Sequence, residues 1–381
     1  MISRFQKINI LFLIDQFRSD RAGTERQLIN LFNRLENKKY NIYLATLKES
    51  SWLNKYFIHS EKKVFSLYAN NGIPIDLFKT LKIMKRIIED KKIDIIQSFF
   101  IDSIFVAIIS AKISKQSVAV VTTRRDMGYW YTPLKLFFIR LANKLTDAIL
   151  VNSFPVQKNV IRRELAPANK VVVIGNGLDE RWFSICPNNH KQIRSSLNIS
   201  ENEVLLGFVG NLRKIKRADL FIRGLSLLNK QFSYWKAIII GDGNERIRLE
   251  RLAQDKGIFH KIIFTGSVAD PLPFYSAMDV GVCCSDSEGL SNSILEMMAQ
   301  GLPVLSSRIP SNETLFGCGG FFFEPGETSC LANKLALLCE DQLLRQKLGT
   351  VNREIAKKFR WCNVIEQYDA FYEKMARVSR G

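Results

Sequence analysis

Two carboxylates that stand eight residues apart, Glu288 and Glu296, are suited to binding a ligand rich in hydroxyl groups. They lie in residues 285–296, where a strand-like apolar run has just ended, a loop with one glycine follows, and a helical pattern begins. Carboxylates hold sugar and ribose hydroxyls through paired hydrogen bonds, and the amides at the start of a helix bind phosphate. The segment therefore predicts a site for a phosphorylated sugar or nucleotide. The alternative from spacing alone is a surface glutamate followed by an ordinary helix start.

A second candidate segment is a basic loop that follows the strand-like run at 204–209. Four cations lie within five positions of this loop, namely Arg213, Lys214, Lys216 and Arg217. Fixed positive charges stabilise the negative charge of a departing diphosphate, and losing one such contact typically costs about 3 kcal/mol in the transition state. The loop is therefore predicted to bind a diphosphate, and a solvated basic loop is the alternative.

The first half of the chain contributes two weaker candidates. Gly23 lies where the first predicted strand meets the first helix, and a glycine there lets a ligand approach the backbone. Arg124, Arg125 and Asp126 follow the strand-like run at 118–123, so they should also face a ligand. An ordinary strand-to-helix turn is the alternative at Gly23.

The elements that must position these residues alternate between strand and helix along the whole chain. Such alternation predicts an α/β protein with parallel sheets and helices on both faces. Strands are predicted at 8–14, 41–47, 93–99, 118–123, 148–152 and 171–174, and then at 204–209, 237–240, 262–265, 280–284 and 304–306. A polar stretch at 178–200 separates the two series. We therefore expect two Rossmann-like, doubly wound domains that face each other across a cleft at the carboxyl ends of their strands.

The charge is distributed unevenly over the 381 residues. Lys and Arg number 55 against 37 Asp and Glu, a net charge of +18. Residues 1–185 hold 30 basic and 16 acidic residues (+14), which leaves 25 and 21 (+4) for the remainder. Such an excess predicts an anionic partner for the first half, such as a membrane surface or a phosphate-bearing substrate, with a solvated basic surface as the alternative. The basic residues are not interleaved with aromatic ones in a nucleic-acid-binding motif, so no nucleic-acid partner is expected.

Several other classes of protein lack their signatures here. No apolar run reaches the roughly 18 residues of a membrane-spanning helix, and the seven cysteines form no C-x-x-C pair. No Walker A motif appears, and no G-x-G-x-x-G follows the first strand, which argues against a P-loop ATPase and a dehydrogenase. With three histidines and no Asp-x-Asp, the sequence predicts no metal site. We expect a cytoplasmic protein.

Together these segments resemble glycosyltransferase family 4, a large group of retaining enzymes with the GT-B fold. The resemblance covers nearly the whole chain and is densest over residues 204–307, where residues 264–304 are similar to the family's E-x7-E region. Residues 176–179 (NGLD) resemble the N-G-V-D segment that begins the family's interdomain linker. Residues 359–361 resemble the start of its closing segment, which crosses back onto the first domain.

The resemblance implies a role for each matching residue. Lys216 matches the lysine that contacts the donor diphosphate, and Arg213 is its expected partner because Asn211 stands where many members have arginine. Glu288 matches the carboxylate near the donor sugar, and Glu296 matches the one that holds the ribose hydroxyls. The remaining donor contacts are implied for backbone near the phosphate (Gly289, Leu290, Ser291), near the nucleobase (Gly266, Ser267) and in the first glycine loop (Gly23).

The acceptor side follows a subset of relatives with an S-R-R type sequence, which Thr123, Arg124, Arg125 and Asp126 resemble. We expect Arg124 or Arg125 to bind a phosphate of the acceptor and Asp126 to position its hydroxyl. The resemblance also implies transfer with retention at the anomeric carbon and without a metal or other cofactor. A nucleotide sugar, most commonly a uridine one in the family, is then a substrate.

An amphipathic stretch at residues 133–144 bears on where the enzyme works. Leu134, Phe137, Phe138 and Leu141 fall on one helical face, with Lys135, Arg140 and Lys144 nearby. This pattern suits peripheral contact with an anionic bilayer at the inner face of the membrane, and so a polyprenyl-linked glycan acceptor. The alternative is that the apolar face packs on the sheet of the first domain.

The prediction is therefore a cell-surface polysaccharide glycosyltransferase with three segments. Residues 1–183 are expected to form the acceptor-binding domain, residues 184–360 the nucleotide-sugar-binding domain, and residues 361–381 a helix that returns to the first domain. Two other functions remain open: a transferase acting on a small soluble acceptor, since residues 211–217 also resemble the synthases that glycosylate malate, and a non-catalytic nucleotide- or sugar-binding member of the fold.

Overall fold

The computed structural model of the protein describes residues 7–19, 22–35, 39–56, 63–67, 74–184 and 187–380. The chain divides into two compact units. Unit 1 comprises Met1–Asn176 together with Cys362–Gly381, and unit 2 comprises Gly177–Trp361. No helix in the described part of the chain is long and apolar enough to cross a membrane.

Unit 1 is built on a parallel sheet that, within the described residues, has seven strands. These are β1 (Ile8–Ile14), β2 (Tyr40–Thr46), β3 (Val64–Ser66), β4 (Ile95–Phe99), β5 (Ala119–Arg124), β6 (Ala148–Val151) and β7 (Val171–Val173). Their order across the sheet is β3-β2-β1-β4-β5-β6-β7, so the winding direction reverses between β1 and β4. β1 is almost continuously apolar and buried, as expected for a strand covered on both faces.

The connections of unit 1 are helical. The helices are α1 (Gly23–Leu35), α2 (Ser51–Tyr56), α3 (Pro74–Asp90), α4 (Ile101–Ile113), α5 (Pro133–Leu145) and α6 (Phe154–Arg162). α5 begins sharply because Thr132 caps it by accepting the Lys135 amide and Pro133 occupies the first helical position.

Unit 2 repeats this architecture with six described parallel strands. They are β8 (Val204–Val209), β9 (Trp235–Ile240), β10 (Ile262–Gly266), β11 (Val280–Cys283), β12 (Val304–Ser307) and β13 (Phe321–Phe323). The order is β10-β9-β8-β11-β12-β13, so the winding reverses between β8 and β11. The helices are α7 (Pro187–Ser196), α8 (Ala218–Leu228), α9 (Arg246–Asp255), α10 (Leu272–Ala277), α11 (Asn292–Ala299), α12 (Pro310–Phe316), α13 (Thr328–Glu340) and α14 (Gln342–Lys357).

The last helix, α15 (Trp361–Arg380), packs on unit 1. Its Tyr372 hydroxyl hydrogen-bonds to Gln97 of β4, and its Asp369 binds Tyr40 of β2. Near its end, Arg380 donates to both carboxylate oxygens of Asp94 at 2.8 and 3.0 Å. These bonds hold α15 against the sheet along most of its length.

The predicted fold class is confirmed, because both units are doubly wound parallel α/β structures. Two short strands, β3 and β13, were not predicted; each has three residues. The polar stretch at 178–200 contains a one-turn helix at Glu180–Phe183 and then α7.

Candidate active site

The reversal of strand order in unit 2 brings the two predicted segments of the second half together. In doubly wound sheets, ligands bind at such a point, because the loops that leave the two adjacent strands run to opposite sides. Here the loop after β8 holds the four cations, and the loop after β11 leads to Glu288 and α11. The Asp286 amide donates to the Ile215 carbonyl over 3.0 Å and joins the two loops.

Lys216 and Glu288 form an ion pair across this point. The Lys216 Nζ atom lies 2.5 Å from Glu288 Oε1, and the two side chains are only 19% and 10% exposed. The Ser285 hydroxyl donates to the same carboxylate oxygen over 2.6 Å. Both ends of the pair are therefore fixed in position before any ligand arrives.

The charge on Lys216 is maintained by its surroundings. Burial on its own lowers the pKa of Lys216, but the Glu288 carboxylate outweighs burial and holds that pKa above the usual value for lysine. Arg213 acts in the opposite sense, because a second cation nearby disfavours the ammonium. The site thus keeps a charged, partly desolvated ammonium, the form that binds phosphate oxygens.

The other cations of the loop differ in their environment. Arg213 and Lys214 are exposed at the surface, and Arg213 immediately precedes the one-turn helix Lys214–Lys216. Arg217 adopts a left-handed backbone conformation (φ 52°) and is bound by Asp219 and Asp286. Arg213 and Lys216 are therefore the cations best suited to a diphosphate, and Arg217 helps to hold the loop.

The N-terminus of α11 opens beside the Lys216–Glu288 pair. Gly289, Leu290 and Ser291 are buried, and the helix starts at Asn292, directly after them. The positive end of a helix attracts anions through its first amides and its dipole. This helix start therefore adds to the positive potential created by Lys216.

Glu296 lies on the second turn of α11 and is buried. Its Oε2 atom accepts a hydrogen bond of 2.9 Å from the hydroxyl of Tyr275, which is fully buried on α10. Sequence reasoning missed Tyr275, whose only signal was an aromatic residue in the segment before β11. Tyr275 orients the Glu296 carboxylate.

Backbone packs closely against backbone at the carboxyl ends of β8, β9 and β10. The Gly241 amide donates to the Gly266 carbonyl at 2.9 Å, and a Cβ on Gly241 would lie 2.0 Å from the Gly210 carbonyl oxygen. Gly266 has a φ of +69°, and a Cβ there would meet the Arg246 guanidinium at 2.7 Å. These two positions require glycine, and Ser267 follows them at the exposed surface.

Arg124 of unit 1 does not take the role expected for it. It is 4% exposed, and its guanidinium donates to Glu164 over 2.9 Å and to Asn143 of α5 over 3.0 Å. A buried guanidinium held by a carboxylate and an amide is not available to an acceptor phosphate. Arg124 is therefore a structural residue that ties α5 and the segment after α6 to β5.

Arg125 points to a different set of partners. Its guanidinium hydrogen-bonds to the Asn176 side chain and to the Tyr368 hydroxyl of α15, and it lies near the Glu25 carboxylate. Burial lowers the pKa of Arg125, and Tyr368 and Glu25 oppose that effect in part. Burial also raises the pKa of Glu25. Arg125 is thus the arginine of this segment that remains a candidate for an acceptor phosphate.

Asp126 and Gly23 lie at the carboxyl edge of the same sheet. Asp126 accepts the Gly128 amide over 2.7 Å and the Trp130 indole N–H over 3.1 Å, so its carboxylate shapes the loop that leads to α5. Gly23 is exposed and is the first residue of α1. Arg21, two residues before Gly23, lies outside the described residues.

Asp15 is a candidate that the sequence analysis missed. It follows β1 at the winding reversal of unit 1 and accepts the Ser103 amide at the start of α4 over 2.7 Å. Burial raises its pKa to about 6. The signal was available, because Asp15 directly follows the first predicted strand.

The unit 2 residues form a set that fits an anionic, hydroxylated ligand. Two cations and a helix start suit a diphosphate, and two oriented carboxylates suit hydroxyl groups. In the residues that the structure describes, no three His, Cys, Asp or Glu side chains are grouped so as to hold a metal ion.

Family models match both halves of the chain. A model described as "Glycosyltransferase Family 4" matches residues 21–182, and one described as "Glycosyl transferases group 1" matches residues 189–355. Together they cover most of both units and all the candidate residues named above in unit 2.

Individual relatives agree with these models. The chain is 24% identical over 356 residues to the capsular polysaccharide biosynthesis glycosyltransferase CapM of Staphylococcus aureus, covering 86% of this chain and 92% of that protein. It is 25% identical over 256 residues to the N-acetyl-alpha-D-glucosaminyl L-malate synthase of Bacillus anthracis, covering 61% of this chain and 66% of that one, just under two thirds.

Among solved structures, the chain resembles Anabaena HepE in complex with UDP. The TM-score is 0.83 at 20% sequence identity, and the match covers 96% of this chain and 100% of HepE. At that identity the likeness concerns the fold.

Proposed function

The chain belongs to glycosyltransferase family 4, and on that premise we propose that it transfers a sugar from a nucleotide-sugar donor to a glycan or polyprenyl-linked acceptor. The transfer would serve the assembly of a cell-surface polysaccharide, as the name of the relative CapM suggests. The observation that carries the proposal is the Lys216–Glu288 ion pair at the winding reversal of unit 2.

The donor diphosphate binds to the cations and the helix start of unit 2 in this proposal. An ammonium has three N–H donors, so Lys216 can keep its bond to Glu288 and still donate to phosphate oxygens. Arg213 adds a second positive charge, and residues 289–291 supply the start of α11. These groups stabilise the negative charge that develops on the departing diphosphate, each contributing about 3 kcal/mol to the transition state.

The two glutamates hold the rest of the donor. Glu288 lies beside the donor sugar, where its negative charge stabilises the positive character of the reacting carbon. Glu296, oriented by Tyr275, binds the ribose hydroxyls, and Gly266 and Ser267 border the nucleobase. We take the base to be uracil, because HepE is described in complex with UDP.

The chemistry needs no cofactor from the protein in this proposal. The acceptor attacks from the face that the diphosphate leaves, so the configuration at the anomeric carbon is retained. A diphosphate oxygen takes the proton of the acceptor hydroxyl, and the protein contributes orientation and charge stabilisation.

The acceptor binds at the carboxyl edge of the unit 1 sheet. Arg125 offers a guanidinium for an acceptor phosphate, and the Asp126 loop lies next to it. A polyprenyl-linked glycan carries such a phosphate and is anchored in a membrane. We therefore place the enzyme in the cytoplasm, peripherally at the inner face of the membrane.

A small soluble acceptor is the second candidate. The similarity to the malate synthase of Bacillus anthracis favours it. The two candidate acceptors give different products. The protein is incubated with the identified donor and either a lipid-linked glycan or small hydroxy acids, and the acceptor that gains the sugar identifies the function.

The donor site is tested by thermal unfolding with nucleotides. We expect UDP or a UDP-sugar, without added metal, to raise the melting temperature, since a ligand at 100 times its Kd adds about 2.7 kcal/mol. Lys216→Ala should abolish this response. Lys214→Ala is the matched control, because Lys214 lies two residues away on the same loop and is exposed. A protein that responds to no nucleoside diphosphate, or a Lys216→Ala variant that responds like the wild type, contradicts the proposal.

A further inference from the structure

Helix α5 carries an apolar stripe on the outside of unit 1. Leu134, Phe137, Phe138, Leu141 and Leu145 recur at helical spacing, and they are 43–66% exposed. The alternative, that this face packs on the sheet, is wrong for these residues. A contiguous stripe of large exposed apolar side chains marks an interaction site.

The exposure is not due to a loosely attached helix. A separate face of α5, formed by Ile139, Ala142 and Asn143, is buried against unit 1. Asn143 bonds to Arg124, and Arg140 donates twice to the Arg163 carbonyl at 3.1 and 3.0 Å. The helix is thus anchored on one side while it presents the stripe on another.

Helix α4 extends the apolar surface. Phe105 of α4 lies edge-to-face with Phe138 of α5, and the two ring centroids are 6.3 Å apart. Ile109 and Ile113 are one and two turns further along the same side of α4, and both are exposed. We call the five residues of the α5 stripe together with Ile109 and Ile113 the α5 surface.

The charges around the α5 surface are almost all positive. Lys112, Lys115, Lys135 and Lys144 are exposed on or beside the two helices. Residues 103–146 contain a single acidic residue, Asp126, whose carboxylate is bonded within its own loop. Large apolar side chains bordered by lysines fit the boundary between the acyl chains and the anionic headgroups of a bilayer.

An exposed tryptophan lies at the N-terminal end of the stripe. Trp130 has the Lys135 ammonium over its ring at 5.2 Å, and its indole N–H donates to Asp126. Tryptophan favours the depth of the headgroups in a membrane. Trp130 therefore links the apolar stripe to the loop that follows Arg125.

We propose that the α5 surface docks unit 1 on an anionic lipid bilayer, with α5 lying in the plane of the interface. This inference rests on the proposed function only for the acceptor: docking brings the Arg125–Asp126 loop to the headgroup level, where the phosphate of a lipid-linked acceptor lies. The apolar residues enter the acyl boundary, and the four lysines contact acidic headgroups.

The test is flotation of the full chain with vesicles, in the absence of donor and acceptor. We expect binding to an equimolar mixture of phosphatidylcholine and phosphatidylglycerol, and much weaker binding to phosphatidylcholine alone. Replacing Phe137→Asp and Leu141→Asp together should lower the partition coefficient at least about tenfold, because two apolar anchors are lost and two negative charges gained. Each Lys→Gln change at Lys135 or Lys144 should lower it roughly fivefold.

Leu343→Asp is the matched control. Leu343 lies on α14 of unit 2 and is 77% exposed, so its replacement changes an even more exposed apolar side chain away from the α5 surface. This variant should bind vesicles like the wild type. Equal binding by the wild type and the Phe137/Leu141 variant, with unchanged circular dichroism and thermal unfolding for both, overturns the proposal.

A second readout uses the fluorescence of Trp130. Of the five tryptophans, all within the described residues, Trp130 is the most exposed. Brominated lipids should quench the emission of the wild type and quench Trp130→Phe far less. Self-association of the lipid-free protein that is lost in the Phe137/Leu141 variant would show that a second copy covers the surface, and would overturn the bilayer proposal. Because no substrate is present, failure of docking is separable from failure of the donor-site test.

Discussion

Lys216 Nζ lies 2.5 Å from Glu288 Oε1, and this contact joins the loops that leave the two strands at the winding reversal of unit 2. The two residues are 72 positions apart in sequence. The pair fixes a cation in a partly desolvated position, and the Glu288 carboxylate acts to raise the pKa of that cation.

Replacing Glu288 should therefore change the pH range of donor binding. In Glu288→Gln the carboxylate no longer opposes the effect of burial, so the pKa of Lys216 falls. The ammonium is present below its pKa, and the variant should lose UDP affinity at a lower pH than the wild type as pH rises. Isothermal titration of UDP across neutral and alkaline pH measures this. Superimposable affinity profiles of the two proteins would contradict the role of Glu288, as would a kcat that does not fall on the order of 100-fold or more.

The neighbours Arg124 and Arg125 should respond to mutation in different ways. Arg124→Ala leaves Glu164 buried without its partner and should lower the free energy of unfolding by about 3–5 kcal/mol, with little change in UDP affinity of the folded protein. Arg125→Ala should cost less stability and should lower acceptor kcat/KM by roughly 10- to 100-fold, because a charged hydrogen bond to phosphate is lost. Urea unfolding and acceptor kinetics of both variants measure these effects. If Arg124→Ala lowers acceptor kcat/KM and Arg125→Ala lowers stability instead, Arg124 belongs to the acceptor site.

Tyr368 should act as a positioning residue for Arg125. Tyr368→Phe removes the hydroxyl that binds the guanidinium and should raise the acceptor KM about fivefold, with kcat for the donor's hydrolysis by water unchanged. Tyr372→Phe is the matched control, since it removes a buried hydroxyl from the same helix one turn later, where the partner is Gln97. If both variants raise the acceptor KM equally, the effect comes from α15 packing and not from Arg125.

Asp15 should make the stability of unit 1 depend on pH. Its pKa in the folded protein is raised to about 6 from 3.8, so the folded state binds the proton more tightly than the unfolded state. The contribution of Asp15 to the free energy of unfolding therefore falls as pH rises from about 4 to about 6, and the loss is complete above that range. Asp15→Asn should then raise the free energy of unfolding at about pH 7.5, by about 2 kcal/mol after allowance for solvent screening, and do little near pH 4. Urea unfolding of both proteins at both pH values measures this change. A difference in the free energy of unfolding that does not depend on pH would contradict the raised pKa of Asp15.

Much of the fold could be predicted from the sequence, because many strands and helices have a pattern that is recognisable within the element itself. The continuous apolar runs of β1 and β8 were predicted with the bounds that the structure has. β3 and β13 were missed because a three-residue strand is too short for periodicity to reveal it. β13 consists of three phenylalanines, and it is recognised as a strand through its pairing with β12.

The candidate site shows the same limit at the level of side chains. Arg124 is the last residue of β5 and Arg125 follows it, so both lie at the same edge of the sheet and either could have faced a ligand. Sequence alone does not say which, because the partner of Arg124 is Glu164, 40 residues away. The sequence also did not show which apolar residues of α5 are exposed. Only Ile139, Ala142 and Asn143 are buried against unit 1, and the other apolar residues of the helix lie outside that contact.

The placement of α15 also has a consequence for how the protein is made. Residues 362–380 leave the ribosome after all of unit 2, yet they complete unit 1 by supplying the partners of Tyr40, Gln97 and Arg125. Domains generally fold during synthesis in the order in which they emerge. The whole sequence of unit 2 therefore emerges before unit 1 is complete. Tyr40, Gln97 and Arg125 of unit 1 lack these partners until α15 has left the ribosome.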